Sequence, residues 1–277
     1  MFIGKNYPLK KITTIGLGGY CKEFICPEEE GELVEVIKTN PLYIGNGSNM
    51  CFVTEFYDRT IVSLKKMKKY INIDDQYITC SGNISCTKLS RHLHDNKLPG
   101  YEFLYGIPGT IAGAVTMNAG AFEKEIMPNV YSIDLLDEKG NAYTLTQDNL
   151  SYSYRTSNIN TRSIIVSIKL LRQTEDFDIN LLDKLNDKRK STQPTNLLSC
   201  GCIFKNPPGD YAAKLIEKAD LKGKRVGGIY ISDKHSNYFI NDGSGTYKDF
   251  LLLLQRVKNE IHTKFDILLE EEVILLK

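Results

Sequence analysis

Over residues 24–171 the chain alternates short runs rich in β-branched and aromatic residues with glycine-bearing loops and a few amphipathic stretches. Runs at 60–64, 77–80, 132–136 and 163–171 have the length and composition of strands. Residues 28–39 put Leu33, Val34 and Ile37 at helical spacing, and 87–96 read as a second helix. Asp137-Glu138-Lys139-Gly140 predicts a hairpin turn between 132–136 and 143–145. The polar stretch 172–178 is the expected domain boundary. Beyond it the pattern predicts a helix over 179–188, a short strand near 202–204, a helix over 211–219, glycine-broken strands over 226–241 and a long helix over 247–264. The whole reads as α+β, with domains spanning 1–172 and 173–277.

Composition narrows the function. The 277 residues are 42% hydrophobic and 25% charged, enough apolar material for a sizeable core. Lys and Arg number 35 against 34 Asp and Glu, a formal charge of +1, so no long-range field draws the protein to a phosphate backbone or an anionic membrane. Nucleic acid is therefore excluded as the main ligand. Apolar runs such as Phe250 to Leu254 fall far short of the roughly 20 residues a membrane helix needs. The first residues lack an export signal, which predicts a cytoplasmic protein, and a monomer is the expected state. Seven cysteines, without a C-x-x-C pair and with only four histidines, support neither a disulfide framework nor a metal site. Six are expected to be small core hydrophobes.

Two glycine-rich segments carry candidate chemistry: Ile44-Gly45-Asn46-Gly47-Ser48-Asn49, and residues 106–114 continuing through Met117-Asn118-Ala119-Gly120-Ala121. Neither completes G-x-G-x-x-G, because Met50 stands where the third glycine would fall, and no G-x-x-x-x-G-K-[ST] occurs. Glycine turns nevertheless present successive backbone amides, which hold a pyrophosphate without formal positive charge. Together the segments predict a nucleotide-like cofactor.

The order of motifs resembles one enzyme family along nearly the whole chain. Thr14-Ile15-Gly16-Leu17-Gly18-Gly19, I-G-N-G-S-N, G-I-P-G-T-I-A-G-A-V-T-M-N-A-G-A and Tyr154-Arg155-Thr156-Ser157 are followed by Gly201-Cys202-Ile203-Phe204-Lys205-Asn206-Pro207, Ser232-Asp233-Lys234-His235 and Leu269-Glu270-Glu271-Glu272-Val273. These resemble the UDP-N-acetylenolpyruvoylglucosamine reductases. The resemblance implies a vanillyl-alcohol-oxidase-like FAD-binding fold followed by a smaller α+β substrate-binding domain. It also implies NADPH-dependent reduction of UDP-N-acetylglucosamine enolpyruvate to UDP-N-acetylmuramate in peptidoglycan precursor synthesis, and with it a part in cell-wall building, cell shape and division. The short 207–241 segment looks like the compact second type, without the tyrosine-bearing insertion. Ala112 replaces a customary glycine, and Glu123-Lys124 stands where a glycine pair is common.

Site residues follow from the same resemblance. FAD contacts are expected from Gly45, Asn46, Gly47, Ser48 and Asn49, and from Gly106, Pro108, Gly109, Thr110, Gly113, Asn118, Ala119 and Gly120. Arg155, Cys202 and Glu272 are expected to be catalytic, and Lys205, Asn206 and His235 to meet the substrate. The chemistry suits these residue types. Hydride addition to an enol ether bearing a carboxylate builds negative charge, which a guanidinium meets with two parallel hydrogen bonds. A proton must then reach the ether carbon. Cys202 stands where serine is usual, and a thiol, of ordinary pKa about 8.5, is a stronger acid than an aliphatic hydroxyl. On a strand, alternation would put Glu270 and Glu272 on one side and Glu271 on the other. Glu272 would serve as a protonated acid beside the developing enolate. Two other readings stand beside this one: a different oxidase or dehydrogenase on the same flavin fold, and a nucleotide binder without catalysis.

Overall fold

A computed structural model describes residues 1–277, and the chain forms two compact units. One comprises 1–5, 23–45 and 59–188, the other 6–22, 46–58 and 189–277. Three strands, Phe2–Pro8, Tyr20–Cys26 and Phe56–Val62, begin in one unit and finish in the other. The mixture of helices and sheets is the α+β architecture the pattern predicts.

The first unit is built on a five-stranded antiparallel sheet in the order Ala142–Thr146, Val130–Leu136, Ile164–Leu171, Tyr77–Ser81, Ile71–Ile73. The expected hairpin is present, with Ser132 opposite Thr146 and Leu136 opposite Ala142. Its turn is closed by Asp137, whose Oδ1 accepts from the amides of Lys139 and Asn141 at 2.8 Å. Ile133 and Leu135 point into a core with Ile78, Ile168 and Leu170, over which the helix Cys86–Asp95 lays Cys86, Leu89, Ser90 and Leu93. Ser85 caps that helix by accepting from Lys88 N at 3.2 Å. A smaller cluster seats Leu33 and Ile37 of the helix Glu30–Ile37 against Ile164.

The glycine-rich 106–121 segment is not all loop. Residues Ile111–Thr116 are helical, capped by Thr110, whose Oγ1 accepts from Gly113 N at 3.2 Å. The helix forms despite Gly113 because Ile111, Ala114 and Val115 bury themselves in the sheet's core, and tertiary packing overrides low propensity.

The second unit packs around the helix Tyr247–Phe265, which buries Phe250, Leu253, Leu254, Val257 and Ile261 along one stripe. A reciprocal cap between Thr246 and Asp249 fixes its start. Against it lie the helix Ala212–Lys218 and an antiparallel sheet of Arg225–Val226, Ile229–Ile231 and Phe239–Asn241. Ile274–Leu276 pairs in parallel with Met50–Phe52, which draws an amino-terminal segment into this unit. Residues 202–204 make two isolated bridges rather than a ladder. The helix expected over 179–188 runs from Leu181 to Thr192.

Candidate active site

In the second unit, Gly201 takes φ +79°, a left-handed turn that leads the chain into residues 202–204. Backbone bonds hold this segment from both sides. Ile203 N donates to Asn237 O at 2.9 Å, and Glu272 N donates to Ile203 O at 2.8 Å. Cys202 bridges antiparallel to Tyr238 and Phe204 to Glu271. Tyr238 bonds elsewhere with its own backbone, its N donating to His235 O and its O accepting from Ser232 N. The Cys202–Tyr238 pair is therefore of the narrow kind, flanked by backbone bonds instead of joined by them, in which facing side chains come closest.

The Tyr238 phenol faces Cys202 across the bridge and interacts with it at short range. Burial first, then the neighbouring thiol, drives the phenol well above the ordinary tyrosine range; Glu272 pushes the same way and the Arg189 guanidinium opposes. Cys202, Glu272 and Arg189 thus converge on one phenol. Arg189 is only 5% exposed, and its Nη1 donates to Gln193 Oε1 at 3.1 Å.

The glutamate run is not a strand, having only an isolated bridge at Glu271, and its three side chains have three different partners. Glu270 pairs with Lys205 at 2.6 Å, Glu271 with Lys258 of the long helix at 2.7 Å, and Glu272 lies within electrostatic reach of Tyr238. Six cysteines are buried and Cys202 alone is half-buried. Burial pushes the Cys51 and Cys80 thiols up to about 12 and Cys200 well above its ordinary value, so these stay protonated and inert.

The residues 46–49 belong to this unit too. Gly47 has φ +61°, and a Cβ there would lie 2.2 Å from Ile12 O. Thr14 N donates to Gly47 O at 3.2 Å while Thr14 Oγ1 donates to Ser199 O at 2.6 Å. Asn49 Nδ2 donates to Glu272 O at 3.0 Å, and Ile274 N to Asn49 O at 3.0 Å. The loop is pinned by its carbonyls and by Asn49, and the amides of 46–49 donate to nothing within the chain.

The remaining second-unit candidates have definite places. Lys205 is held by Glu270, and Asn206 Oδ1 accepts from Ala212 N at 3.1 Å at the start of a helix. His235 sets its ring edge-on to Tyr238 at 4.8 Å; its Nδ1 is buried without a hydrogen bond, and burial lowers its pKa.

Arg155 belongs to the first unit, in the turn between Tyr152–Ser153 and Thr156–Ser157. Its φ is +57°, its guanidinium lies 4.8 Å from the Tyr154 ring, its Nη2 donates to Gly120 O at 3.2 Å and its Nη1 is 4.0 Å from Glu125 Oε1. One edge is thus anchored while the side chain stays 20% exposed. Asn118 braces the same region from a fully buried position: its Nδ2 donates to Glu125 Oε2 and Ser153 O, and its Oδ1 accepts from Met127 N. That side chain is committed to framework. Ala119 likewise joins Ala114 and Ile126 through its backbone, and Gly120 faces Glu125 in a two-residue pairing.

Gly45 packs so closely on Thr110 that a Cβ would lie 2.6 Å from Thr110 Oγ1. Gly106, at φ +79°, donates its N–H to Thr87 Oγ1 at 3.2 Å. Pro108 leads into Gly109, whose carbonyl accepts from Cys86 N. The amides of Gly109 and Thr110 donate to nothing within the chain.

Sequence reasoning missed Tyr238 and Arg189. Arg189 sits in a Lys-Arg-Lys run that reads as a solvated helix face, and only its burial marks it. Tyr238 carries no local signal, because its importance comes from facing Cys202, 36 positions away in the chain.

Comparison with known proteins matches two stretches of the chain. An FAD binding domain model matches residues 22–146, and the model of the UDP-N-acetylenolpyruvoylglucosamine reductase C-terminal domain matches 193–276. The chain is an FAD-binding oxidoreductase built from those two parts. The UDP-N-acetylenolpyruvoylglucosamine reductase of Fusobacterium nucleatum is 33% identical over 281 residues, covering 100% of each chain. That of Clostridium tetani is 35% identical over 280 residues, covering 98% of this chain and 91% of the other. The crystal structure of the Thermus caldophilus reductase matches at a TM-score of 0.85 and 27% identity, covering both chains in full. The chain belongs to the UDP-N-acetylenolpyruvoylglucosamine reductase family. The family match favours the reductase over the two other readings drawn from the sequence.

Proposed function

We propose that this protein reduces UDP-N-acetylglucosamine enolpyruvate to UDP-N-acetylmuramate with NADPH, acting as a cytoplasmic monomer in peptidoglycan precursor synthesis and so in cell shape and division. Residues 1–172, with 46–49 among them, bind the flavin and 173–277 bind the substrate.

The residues present fit FAD. In one unit the neutral amides of 46–49 are donors of the kind a pyrophosphate needs, the other unit by itself presents those of Gly109 and Thr110, and the close approaches at Gly45 and Gly47 leave no space for a side chain. When bound there and reduced by NADPH, FAD would supply the hydride that the enolpyruvyl methylene carbon takes up. Arg155, braced on Gly120 O, meets the substrate carboxylate, where negative charge accumulates. Cys202 delivers the thiol proton to the ether-bearing carbon, and Glu272 in its protonated form stabilises the enolate. Lys205, Asn206 and His235 line the approach of the sugar nucleotide.

The observation that carries this reading is the half-buried thiol of Cys202, set against Tyr238 beside Glu272 within the segment matched by the reductase model. An anaerobic half-reaction experiment tests it. NADPH should bleach the visible flavin band, and UDP-N-acetylglucosamine enolpyruvate should restore it. In Cys202→Ala bleaching persists while restoration slows by about 10²–10⁴-fold, the usual contribution of a positioned acid; Cys202→Ser restores it. Absence of restoration in the unmodified protein refutes the activity, and normal restoration in Cys202→Ala refutes the proton donor.

A further inference from the structure

Tyr238 is a half-buried hydrogen-bonding group facing Cys202 that the reaction as described leaves without a task. Three observations define its situation. Cys202 and Tyr238 form a narrow antiparallel pair, so both side chains leave the backbone on the same face at closest approach. The backbone of Tyr238 is fixed by its own bonds to His235 O and Ser232 N, and the His235 ring bears on its ring at 4.8 Å. Its ring therefore has a set direction on the face it shares with Cys202, and the phenol and the thiol act on each other at short range.

We infer that Tyr238 is a positioning residue for the proton donor: its O–H points at Cys202 Sγ, fixes the thiol's rotamer and stabilises the thiolate left when the proton departs. This rests on the reading of Cys202 as the acid. The step balances. The S–H bond breaks, its proton forms the new C–H bond at the ether carbon, and the electron pair remains on sulfur. The phenol keeps its proton, and the sulfur is reprotonated from solvent, which reaches the half-buried thiol.

A phenol suits this task for two reasons. Sulfur is a weak hydrogen-bond partner as a thiol and a much better acceptor as a thiolate, so the interaction strengthens as the proton leaves. Burial keeps the phenol protonated throughout the working range, so it never competes as an acid. The other charged or titratable groups that bear on Tyr238 are Arg189, which favours a thiolate, Glu272, which opposes it when ionised, and His235, kept neutral by burial. Without the phenol, Arg189 alone would offset Glu272.

The test uses the flavin-loaded protein and the variants Tyr238→Phe, Cys202→Ala and the double variant. Tyr238→Phe keeps the ring and removes only the hydroxyl. Because Cys202 is the one cysteine that is not buried, its alkylation by iodoacetamide, followed on its peptide by mass spectrometry, reports the thiolate fraction directly. In Tyr238→Phe the pH midpoint of alkylation should rise by about one unit, the equivalent of one hydrogen bond to a charged group. Flavin reoxidation by substrate should slow roughly 3- to 10-fold, while flavin reduction by NADPH stays unchanged. In the Cys202→Ala background, Tyr238→Phe should add nothing. An unmoved alkylation midpoint, or an equal slowing in the Cys202→Ala background, overturns the role of Tyr238. Undiminished reoxidation in Cys202→Ala instead overturns the acid itself, whatever the alkylation curve shows.

Discussion

To the backbone bonds that hold the Cys202 segment one buried side-chain amide adds two more, and removing it gives a sharp test. Phe204, 1% exposed, uses its N–H and C=O on neither neighbouring backbone. Asn237, 3% exposed, takes both: its Oδ1 accepts from Phe204 N at 3.0 Å and its Nδ2 donates to Phe204 O at 2.7 Å. One side chain thus supplies two hydrogen bonds where a ladder would have continued. Asn237→Ala leaves two buried backbone groups unsatisfied. At about 1–3 kcal/mol for each, the loss is about 2–6 kcal/mol, and about 4 kcal/mol is expected. Asn237→Asp separates the two bonds. At neutral pH its carboxylate still accepts from Phe204 N but faces Phe204 O with no proton, so it should be as destabilising as alanine. Protonation restores a donor, which raises the variant carboxyl's pKa in the folded state. The variant should therefore regain stability relative to Asn237→Ala as pH falls through that folded pKa, the reverse of ordinary carboxylate behaviour. Because the chain has no tryptophan, urea unfolding is best followed by far-ultraviolet circular dichroism. Hydrogen exchange of the peptide spanning 203–206 reports the local effect. A loss below about 1 kcal/mol in Asn237→Ala, with unchanged exchange, would show that the Phe204 groups find other partners and that Cys202 is held by something else.

Three further outcomes are expected. Phe122 and Glu123 join Ala121 to Lys124 with both φ values positive, +54° and +64°, a turn normally given to glycine or asparagine; Glu123→Gly should stabilise by about 0.5–1 kcal/mol, read as a higher midpoint in thermal unfolding. Gly47→Ala must displace Ile12 O or the loop, so the purified variant should carry much less flavin, measured as the ratio of visible to ultraviolet absorbance; full flavin content would refute the cradle. Burial lowers the pKa of His235, so the folded chain keeps it neutral while the unfolded chain takes up a proton below about pH 6.5. Stability should therefore fall as pH drops from about 6.5 toward the folded value, and His235→Gln should flatten that part of a stability–pH curve; an identical slope in the variant would count against it.

What could be read in advance follows from how local each signal is. The 132–136 and 143–145 hairpin was legible because turn chemistry and both strands lie within 15 residues, and the helix Tyr247–Phe265 because five apolar positions repeat at one period. The helix Ile111–Thr116 was hidden by its glycines, since only the core beneath it makes the segment helical. The joining of 6–22 and 46–58 to residues 189–277 rests on parallel pairing of Met50–Phe52 with Ile274–Leu276, a register separated by more than 200 positions that no local pattern encodes. At the site, Arg155, Cys202 and Glu272 stood out through motifs, while Arg189 and Tyr238 did not, because each matters only through what faces it across the fold.

The same distinction explains how a chain of formal charge +1 can suit two anionic nucleotides. A basic surface would attract any phosphate at long range and lose the attraction in salt. Amides held in a fixed turn act only at contact, need no counter-ion and discriminate by geometry. The structure fixes such amides with short carbonyl-directed bonds, Thr14 N to Gly47 O and Ile274 N to Asn49 O, leaving the N–H groups of 46–49 turned to other use. Because Asn49 also holds Glu272 O, loop and glutamate are ordered by one side chain. Truncating Asn49 to alanine should therefore loosen both: flavin content falls, and the oxidative half-reaction slows further than the flavin loss alone explains. If activity per bound flavin is unchanged in Asn49→Ala, the loop and the Glu272 segment are held independently.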